Sequence, residues 1–420
     1  MNERASEPST PSKNPVDDMP FAGRHVLAEL CGVAPVLLDD EAALRRVMCT
    51  ALEQAGATVL QVIAHRFAPQ GVTVLALLAE SHASLHSWPE HGSAFVDVFT
   101  CGDTADPEQA VRLIADGLGA TVVRRDTVRR GAGAPVREPL APGLTRIWDV
   151  DEVLWQGDTA VQHVLVARTA HGVTLFCDDE RQSSEASQLV YHEALMVPAL
   201  LLARRCDDVL IIGSSEGVAC QIAAQAGARR VDHVDIDAEC VRRCAHLLPY
   251  GYDVDELHRA EAGDGVVHVH YADGWEFLAD RDRDGRRYDL VVVDLPDEWT
   301  DGGVPAQHNR LYGAEFLGRA SSVLSAGGVL AGQAGCATLW RNETLLRSFA
   351  RFDAVFATVV PYGSDEHEWT FLVGSPTPLR DPVEQMVRGL AALPYRPVSM
   401  DADALRRGAV APHALRRRER

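Results

Sequence analysis

No apolar run in the sequence is long enough to span a bilayer, and the first twenty residues, rich in Ser, Pro, Asn and acids, lack the apolar stretch of a signal peptide. Neither membrane insertion nor export is expected, and residues 1–20 read as a disordered leader. The nine cysteines form no Cys-x-x-Cys pair and no disulfide-like spacing. Cys240 and Cys244 lack the partners that would complete a zinc site, so a reduced, cytoplasmic protein without a metal is expected. Positive charge is scarce: 40 Lys and Arg stand against 60 Asp and Glu, a formal net charge of −20. That argues against a nucleic-acid partner and favours cationic ligands, whose approach an acidic surface assists. There is no internal repeat.

A chain of 420 residues is too long for one ordinary domain. Residues 21–124 alternate strand-like and helix-like segments, with helical patterns over 41–55 and 107–118. The stretch 125–144, rich in Pro, Gly and Arg, reads as a linker. A larger domain follows over 145–377, then an extension over 378–420 that closes in a solvated charge run. The fold expected is a two-domain α/β chain, the second half built on a mostly parallel sheet.

Two β-type runs, 72–78 and 94–99, flank the polar stretch Glu80-Ser81-His82-Ala83-Ser84-Leu85-His86-Ser87-Trp88, and Cys101 follows. On spacing alone, a Ser beside Glu, two His and a downstream Cys is an ambiguous nucleophile constellation. Cys101 alone would be read as a small buried hydrophobe, and His82 as packing, capping or catalytic. Trp88 alone would be read as plain core.

The segments Gly23-Arg24-His25-Val26-Leu27-Ala28-Glu29, Gly56-Ala57-Thr58, His65-Arg66-Phe67-Ala68-Pro69-Gln70-Gly71-Val72, Glu80-Ser81-His82, His86-Ser87-Trp88-Pro89-Glu90 and Val98-Phe99-Thr100-Cys101-Gly102 resemble, in order, the prokaryotic type of S-adenosylmethionine decarboxylase. The resemblance implies an N-terminal α+β sandwich and a chain that cuts itself between Glu80 and Ser81. Ser81 then becomes a pyruvoyl group, which binds the substrate amine as a Schiff base and takes up the carbanion electrons. It further implies that His86 handles protons during processing and that Cys101 protonates the product carbon, and it makes Phe67 and Trp88 candidates to stack the substrate's adenine, with core packing the competing reading. No external cofactor is implied.

In the second half, a strand over 208–212, the turn Gly213-Ser214-Ser215-Glu216-Gly217, a helix and a strand ending in Asp235 make a nucleoside-binding unit. Asp273 and Asp294 tip further strands, so Gly213 and the three acids should line one crevice. Each acid alone would equally serve as a helix N-cap or turn former.

The ensemble Gln182, Tyr191-His192-Glu193, Gly213 to Gly217, Asp235, Asp273-Gly274, Asp294-Leu-Pro-Asp297, Asn309-Arg-Leu-Tyr312, Gly332-Gln333 and Trp369-Thr-Phe371 resembles spermidine synthase, a polyamine aminopropyltransferase. The implied fold is a Rossmann-like, methyltransferase-type domain with a small N-terminal β subdomain. Asp294 is the implied base that deprotonates the attacking amine. Gln182, Glu216 and Asp235 would hold the donor's ammonium side and ribose, and Asp273 with Gly274 its adenine. Tyr191, Asp297 and Gln333 would face the acceptor, and His192 would be a further substrate-binding residue.

The pattern departs from that family at Ser214 and Ser215, where glycines are common, at Ser187-Gln188, at Glu298-Trp299 and in the acidic loop around Asp365 and Glu368. That loop is expected to receive the acceptor's far ammonium. The two resemblances fit each other, since the product of the first reaction is the donor of the second. A homo-oligomer handling small-molecule substrates is expected, with putrescine as acceptor. Three alternatives stay open: a pyruvoyl decarboxylase of ornithine or arginine, a methyltransferase second half, and one half serving only as a regulatory partner.

Overall fold

The computed structural model describes residues 22–416, apart from 102–103, 132–134, 299, 302–303, 306 and 366–367. The leader expected at 1–20 and the end of the charge run, 417–420, lie outside the described residues. The chain divides into two compact units: residues up to 136 with 147–153, and residues 137–146 with 154–420.

In the first unit, β1 (Ala22–Cys31), β2 (Val59–Arg66), β3 (Val72–Leu78), β4 (Ser81–Trp88), β5 (Ser93–Cys101) and β6 (Val122–Gly131) form one antiparallel sheet in the order β2-β3-β4-β5-β1-β6. The short α1 (Pro35–Leu38) precedes α2 (Glu41–Gln54), and α3 (Pro107–Leu118) follows the fifth strand. Strand alternation decides which face is covered. Val74, Ala76, Leu85, Val96 and Val98 are buried with Leu44, Met48, Leu52 and Ile114 of the helices. The alternate residues Leu27, Leu75, Leu77 and Phe95 are exposed. Both helices start on an Asp cap: Asp40 accepts from the Ala43 N–H at 3.0 Å and Asp106 from the Glu108 N–H at 3.0 Å.

The expected linker is corrected at its first part. Residues 125–131 complete β6, pairing with β1 from Ala28–Arg125 to Ala22–Gly131. Their arginines face solvent while the backbone joins the sheet, so a linker-like composition conceals an edge strand. The rest of the stretch carries β7 (Val136–Ala141) and β8 (Leu144–Trp148), a two-stranded hairpin.

In the second unit, β9 (Glu152–Asp158), β10 (His163–Thr169), β11 (Gly172–Cys177) and β12 (Glu180–Ser184) form the expected small β subdomain, in the order β12-β11-β10-β9. Next, α4 (Gln188–Leu202) buries every residue from His192 to Leu202, which is why its apolar residues show no face preference.

The main sheet comprises β13 (Asp208–Gly213), β14 (Arg230–Asp235), β15 (Val267–Tyr271), β16 (Tyr288–Asp294), β19 (Leu324–Cys336), β20 (Thr358–Gly363) and β21 (Trp369–Ser375); the two-residue strands β17 (Thr300–Asp301) and β18 (Val304–Pro305) pair apart from it. Its order is β15-β14-β13-β16-β19-β21-β20, parallel except for β21, which runs antiparallel to both of its neighbours. The helices are α5 (Val218–Gln225), α6 (Ala238–Leu247), α7 (Val254–Glu261), α8 (Gly274–Arg283), α9 (Ala314–Ser322) and α10 (Glu343–Val355). β13 and β16 lie side by side while the chain leaves them in opposite directions, the switch point where such sheets bind ligands. The extension forms α11 (Pro382–Leu390), α12 (Ala402–Gly408) and α13 (His413–Arg416), whose Met386, Leu405 and Leu415 are buried in the unit's cores.

Candidate active sites

In the first unit, Ser81 opens β4 opposite Thr100 of β5. The carbonyl of Glu80, the residue before it, accepts a hydrogen bond from the Cys101 N–H at 3.2 Å. The Glu80 carboxylate is held by the Thr58 N–H at 3.0 Å, a bond that keeps its pKa below the ordinary value. The Ser81 hydroxyl lies 3.2 Å from His82 Nδ1. His86 is placed elsewhere: its Nδ1 meets Thr73 Oγ1 at 2.9 Å and its Nε2 lies 3.5 Å from Ser84 Oγ.

Asp97 and His25, to which the sequence reading gave no role, join this region. Asp97 accepts from the Ser84 hydroxyl, stands 3.3 Å from His25 Nε2 and 3.7 Å from His82 Nε2. The ligand-type atoms of His25, His82 and Asp97 lie within 4.8 Å of one another, the one such grouping among the described residues. A carboxylate in the middle of the apolar run Phe95 to Phe99 is the signal that could have marked Asp97. Trp88 packs on Phe95 with ring centres 4.6 Å apart, while Phe67 is half exposed and edge-on to His65 at 4.7 Å.

In the second unit, a cavity of about 670 Å³ opens at the C-terminal ends of β13, β14 and β16. Gln182, Tyr191, Gly213, Glu216, Asp235, Asp273, Gly274, Asp294 and Asp297 all border it. Gly213 has φ +83°, and a Cβ there would stand 2.1 Å from the Asp294 carbonyl oxygen, so only glycine fits. Ser214 also takes a left-handed backbone, φ 65°, a strain of roughly 1–2 kcal/mol for a residue with a Cβ. Ser215 donates to Asp235 at 2.7 Å and so supports an acid at the cavity rather than filling it. Burial pushes the Asp235 carboxyl up to about 7, against the Asp237 N–H and Ser215 bonds that favour its charge.

The Tyr191 phenol donates to Asp294 Oδ1 at 2.6 Å. Burial, then Asp294, holds the Tyr191 pKa far above its ordinary value, so it stays a donor. His192 Nδ1 lies 2.7 Å from the Gln188 carbonyl oxygen; a carbonyl only accepts, so that nitrogen carries the proton. Its buried Nε2 then faces Glu216 at 3.6 Å and Asp294 at 3.8 Å without a hydrogen bond to either. Burial raises the Glu216 pKa while His192 pulls it down.

Asp273 is occupied as the cap of α8, accepting from the Trp275 N–H at 2.9 Å, and by the Arg310 guanidinium. Its adenine role thus competes with a structural one. Glu193, part of the quoted motif, is wholly buried and accepts from the N–H groups of Val398 and Ser399 and from the Tyr395 hydroxyl at 2.7 Å. It ties the C-terminal extension to α4.

Asp297 accepts from Gln333 Nε2 at 2.5 Å and pairs with Arg341 at 3.3 Å; burial raises its pKa. Nearby Glu180 is pushed up to about 7 by burial and then by Asp297. The expectation that an acidic loop receives the acceptor's far ammonium is corrected. Glu368 is held by Arg146, by Arg181 at 3.0 Å and by Arg341 at 3.8 Å. Burial opposes its charge, but Arg146, Arg181 and Arg341 keep its pKa below the ordinary value. Asp365 pairs with Arg407, and residue 366 lies outside the described residues. The carboxylates of that loop that are described are therefore already neutralised within the chain.

Two family models match the chain: S-adenosylmethionine decarboxylase over residues 24–131 and the spermine/spermidine synthase domain over 188–364. The first match ends where β6 ends. The S-adenosylmethionine decarboxylase proenzyme of Parasynechococcus marenigrum (strain WH8102) is 52% identical over 124 residues, 29% of this chain and 97% of that protein. That of Prochlorococcus marinus (strain MIT 9313) is 58% identical over 100 residues, 24% of this chain and 80% of that protein. Among solved structures, spermidine synthase from Thermotoga maritima matches with TM-score 0.57 and 14% identity, over 67% of this chain and 93% of that one. At that identity the likeness speaks for the fold alone.

Proposed function

The chain belongs to the S-adenosylmethionine decarboxylase family through its first unit and carries a spermine/spermidine synthase domain behind it, and from that premise we propose how its residues divide the work of a bifunctional polyamine-forming enzyme. Both activities, decarboxylase and aminopropyltransferase, follow from the two families. The observation that carries the reading is their presence in one chain: the decarboxylated product of the first is the donor of the second.

In the first unit the chain is cut between Glu80 and Ser81, and Ser81 supplies the pyruvoyl group. The residues fit: a hydroxyl next to an imidazole nitrogen, and a preceding carbonyl already engaged by the Cys101 N–H. The relatives' description as proenzymes supports it. The pyruvoyl group, once formed, supplies an electron sink for the substrate's carboxyl-bearing carbon. Cys101 then delivers a proton to that carbon, and His86, steadied by Thr73, moves protons during maturation. Trp88 and Phe67 offer faces for the adenine. The exposed apolar face bearing Leu27, Leu75, Leu77 and Phe95 supports assembly through a second copy of the chain.

In the second unit Gln182, Glu216, Asp235, Asp273 and Gly274 hold decarboxylated S-adenosylmethionine. An amine attacks only when neutral, so Asp294, oriented by Tyr191, takes its proton as the carbon beside the sulfonium is attacked. The acceptor is putrescine, giving spermidine and methylthioadenosine, and Asp297 receives its far ammonium in competition with Arg341.

The test is the intact mass of the purified protein under denaturing conditions. Two chains are expected, one ending at Glu80 and one beginning with a blocked pyruvoyl group. A single uncut chain would refute the decarboxylase chemistry, and Ser81→Ala is expected to give that single chain.

A further inference from the structure

Self-cleavage at Ser81 needs a base on the hydroxyl, a group that orients the base, and a donor to the carbonyl under attack. All three are identifiable in the first unit, and for this first step the histidine at the hydroxyl is His82, which leaves His86 to the later proton transfers of maturation. His82 pairs with Phe99 across β4 and β5, and Phe99 with His25 across β5 and β1. This puts His25, Phe99 and His82 in one row, with Asp97 one pleat along on the same face. Asp97 is fixed by Ser84 and His25 and faces His82 Nε2 at 3.7 Å, while His82 Nδ1 meets the Ser81 hydroxyl at 3.2 Å. The two nitrogens of His86 are engaged by Thr73 and Ser84.

We propose that His82 is the base that starts chain cleavage, held in its working orientation by Asp97, with the Cys101 N–H stabilising the oxyanion at Glu80. This rests on the reading that Ser81 is processed. The step balances as follows. Ser81 Oγ passes its proton to His82 Nδ1 and bonds to the Glu80 carbonyl carbon. The charge developing on the carbonyl oxygen meets the Cys101 N–H, already 3.2 Å away. The C–N bond between Glu80 and Ser81 then breaks, its electron pair stays on nitrogen, and His82 returns the proton there. An ester and a free amine result. As His82 becomes an imidazolium, the nearby Asp97 carboxylate attracts it and the 3.7 Å gap can close to a hydrogen bond. Asp97 acts through His82 and is a positioning residue, whereas His82 touches the reacting hydroxyl.

The test follows the full chain from cell-free synthesis, sampled over time by intact mass in the presence of a chelator, so that no cation occupies the His25, His82 and Asp97 grouping. Each sample is also treated with hydroxylamine, which splits an ester under mild conditions and leaves amides whole. The wild type is expected to be cut. His82→Gln, at a half-exposed side chain, is expected to be cut at least about 100-fold more slowly and to gain no hydroxylamine-sensitive bond. His82→Ala should regain cleavage when free imidazole is added, which a merely structural role would not allow. Asp97→Asn should slow cleavage about tenfold in the wild-type background and add nothing to imidazole-rescued His82→Ala. His82→Gln cut at the wild-type rate, or accumulating a hydroxylamine-sensitive ester, overturns the proposal while leaving self-processing intact. An uncut wild type removes the self-processing reading and this inference with it.

Discussion

The Tyr191 phenol donates to Asp294 Oδ1 at 2.6 Å and fixes the carboxylate proposed as the base, while its Oδ2 lies 3.8 Å from His192 Nε2. Tyr191→Phe is expected to lower kcat/KM for aminopropyl transfer about tenfold, near the 1.4 kcal/mol that one such bond contributes. Asp294→Asn removes the proposed base and is expected to cost roughly 100- to 10,000-fold in kcat. Steady-state assays with decarboxylated S-adenosylmethionine and putrescine measure both, and equal losses from the two substitutions would contradict the division of roles.

Arg341 sits between Asp297 at 3.3 Å and Glu368 at 3.8 Å, where it would compete with the acceptor ammonium proposed for Asp297. Arg341→Gln is expected to lower the KM for putrescine about threefold or more, because Asp297 loses its internal cation. An unchanged or higher KM would place the acceptor's far end elsewhere.

Glu368 is the hub of three arginines, and removing its charge leaves them mutually repelling in a half-dry site. Glu368→Gln is expected to destabilise the second unit by about 3 kcal/mol, as when one partner of a buried ion pair is deleted. Denaturant titration measures this.

Glu193 gathers four hydrogen bonds from Tyr395, Val398 and Ser399 in a fully buried position. Glu193→Ala is expected to leave those donors unpaired and to cost about 2–4 kcal/mol. Limited proteolysis should then cut near residues 395–400, and an extension that stays protected would show that its apolar contacts suffice.

Asp235 and Glu180 both titrate near 7 in the folded chain, far above an unfolded carboxylate. The folded state therefore holds more protons between about pH 4 and pH 7, so stability falls as pH rises through that range. Buried His233, lowered to about 4, contributes the opposite slope below about 6.5. Between pH 6.5 and 8 these two carboxylates lower Tm as pH rises, opposed by the Cys240 thiol, which hydrogen bonds from Cys177 and Cys244 lower to about 5. Asp235→Asn with Glu180→Gln should flatten that decrease, while donor affinity, under the proposed contact of an ionised Asp235 with the donor, should rise with pH in the wild type.

Periodicity was a sufficient guide where the physics is local. The alternation over 72–78 and 94–99 gives the strands that flank Ser81, and the uninterrupted apolar run before Asp294 gives the central parallel strand. Asp235 and Asp294, together with Gly213, were placed together correctly because strand ends of a parallel sheet share an edge. Composition misled at 125–131, since arginines on a solvated edge strand look like a linker until the backbone pairing is known.

Sequence alone determined the two families and their order along the chain, and it marked candidate nucleophile, acid and base because these are residue types with fixed chemistry. Only the tertiary structure decided which partner each one meets. His82 rather than His86 reaches Ser81, Glu368 answers to three arginines rather than to an acceptor, and Glu193 anchors residues some two hundred positions away. The physical reason is one of range. Pattern reports which face a residue takes within its own element, whereas hydrogen bonds and ion pairs depend on what other elements bring to that face.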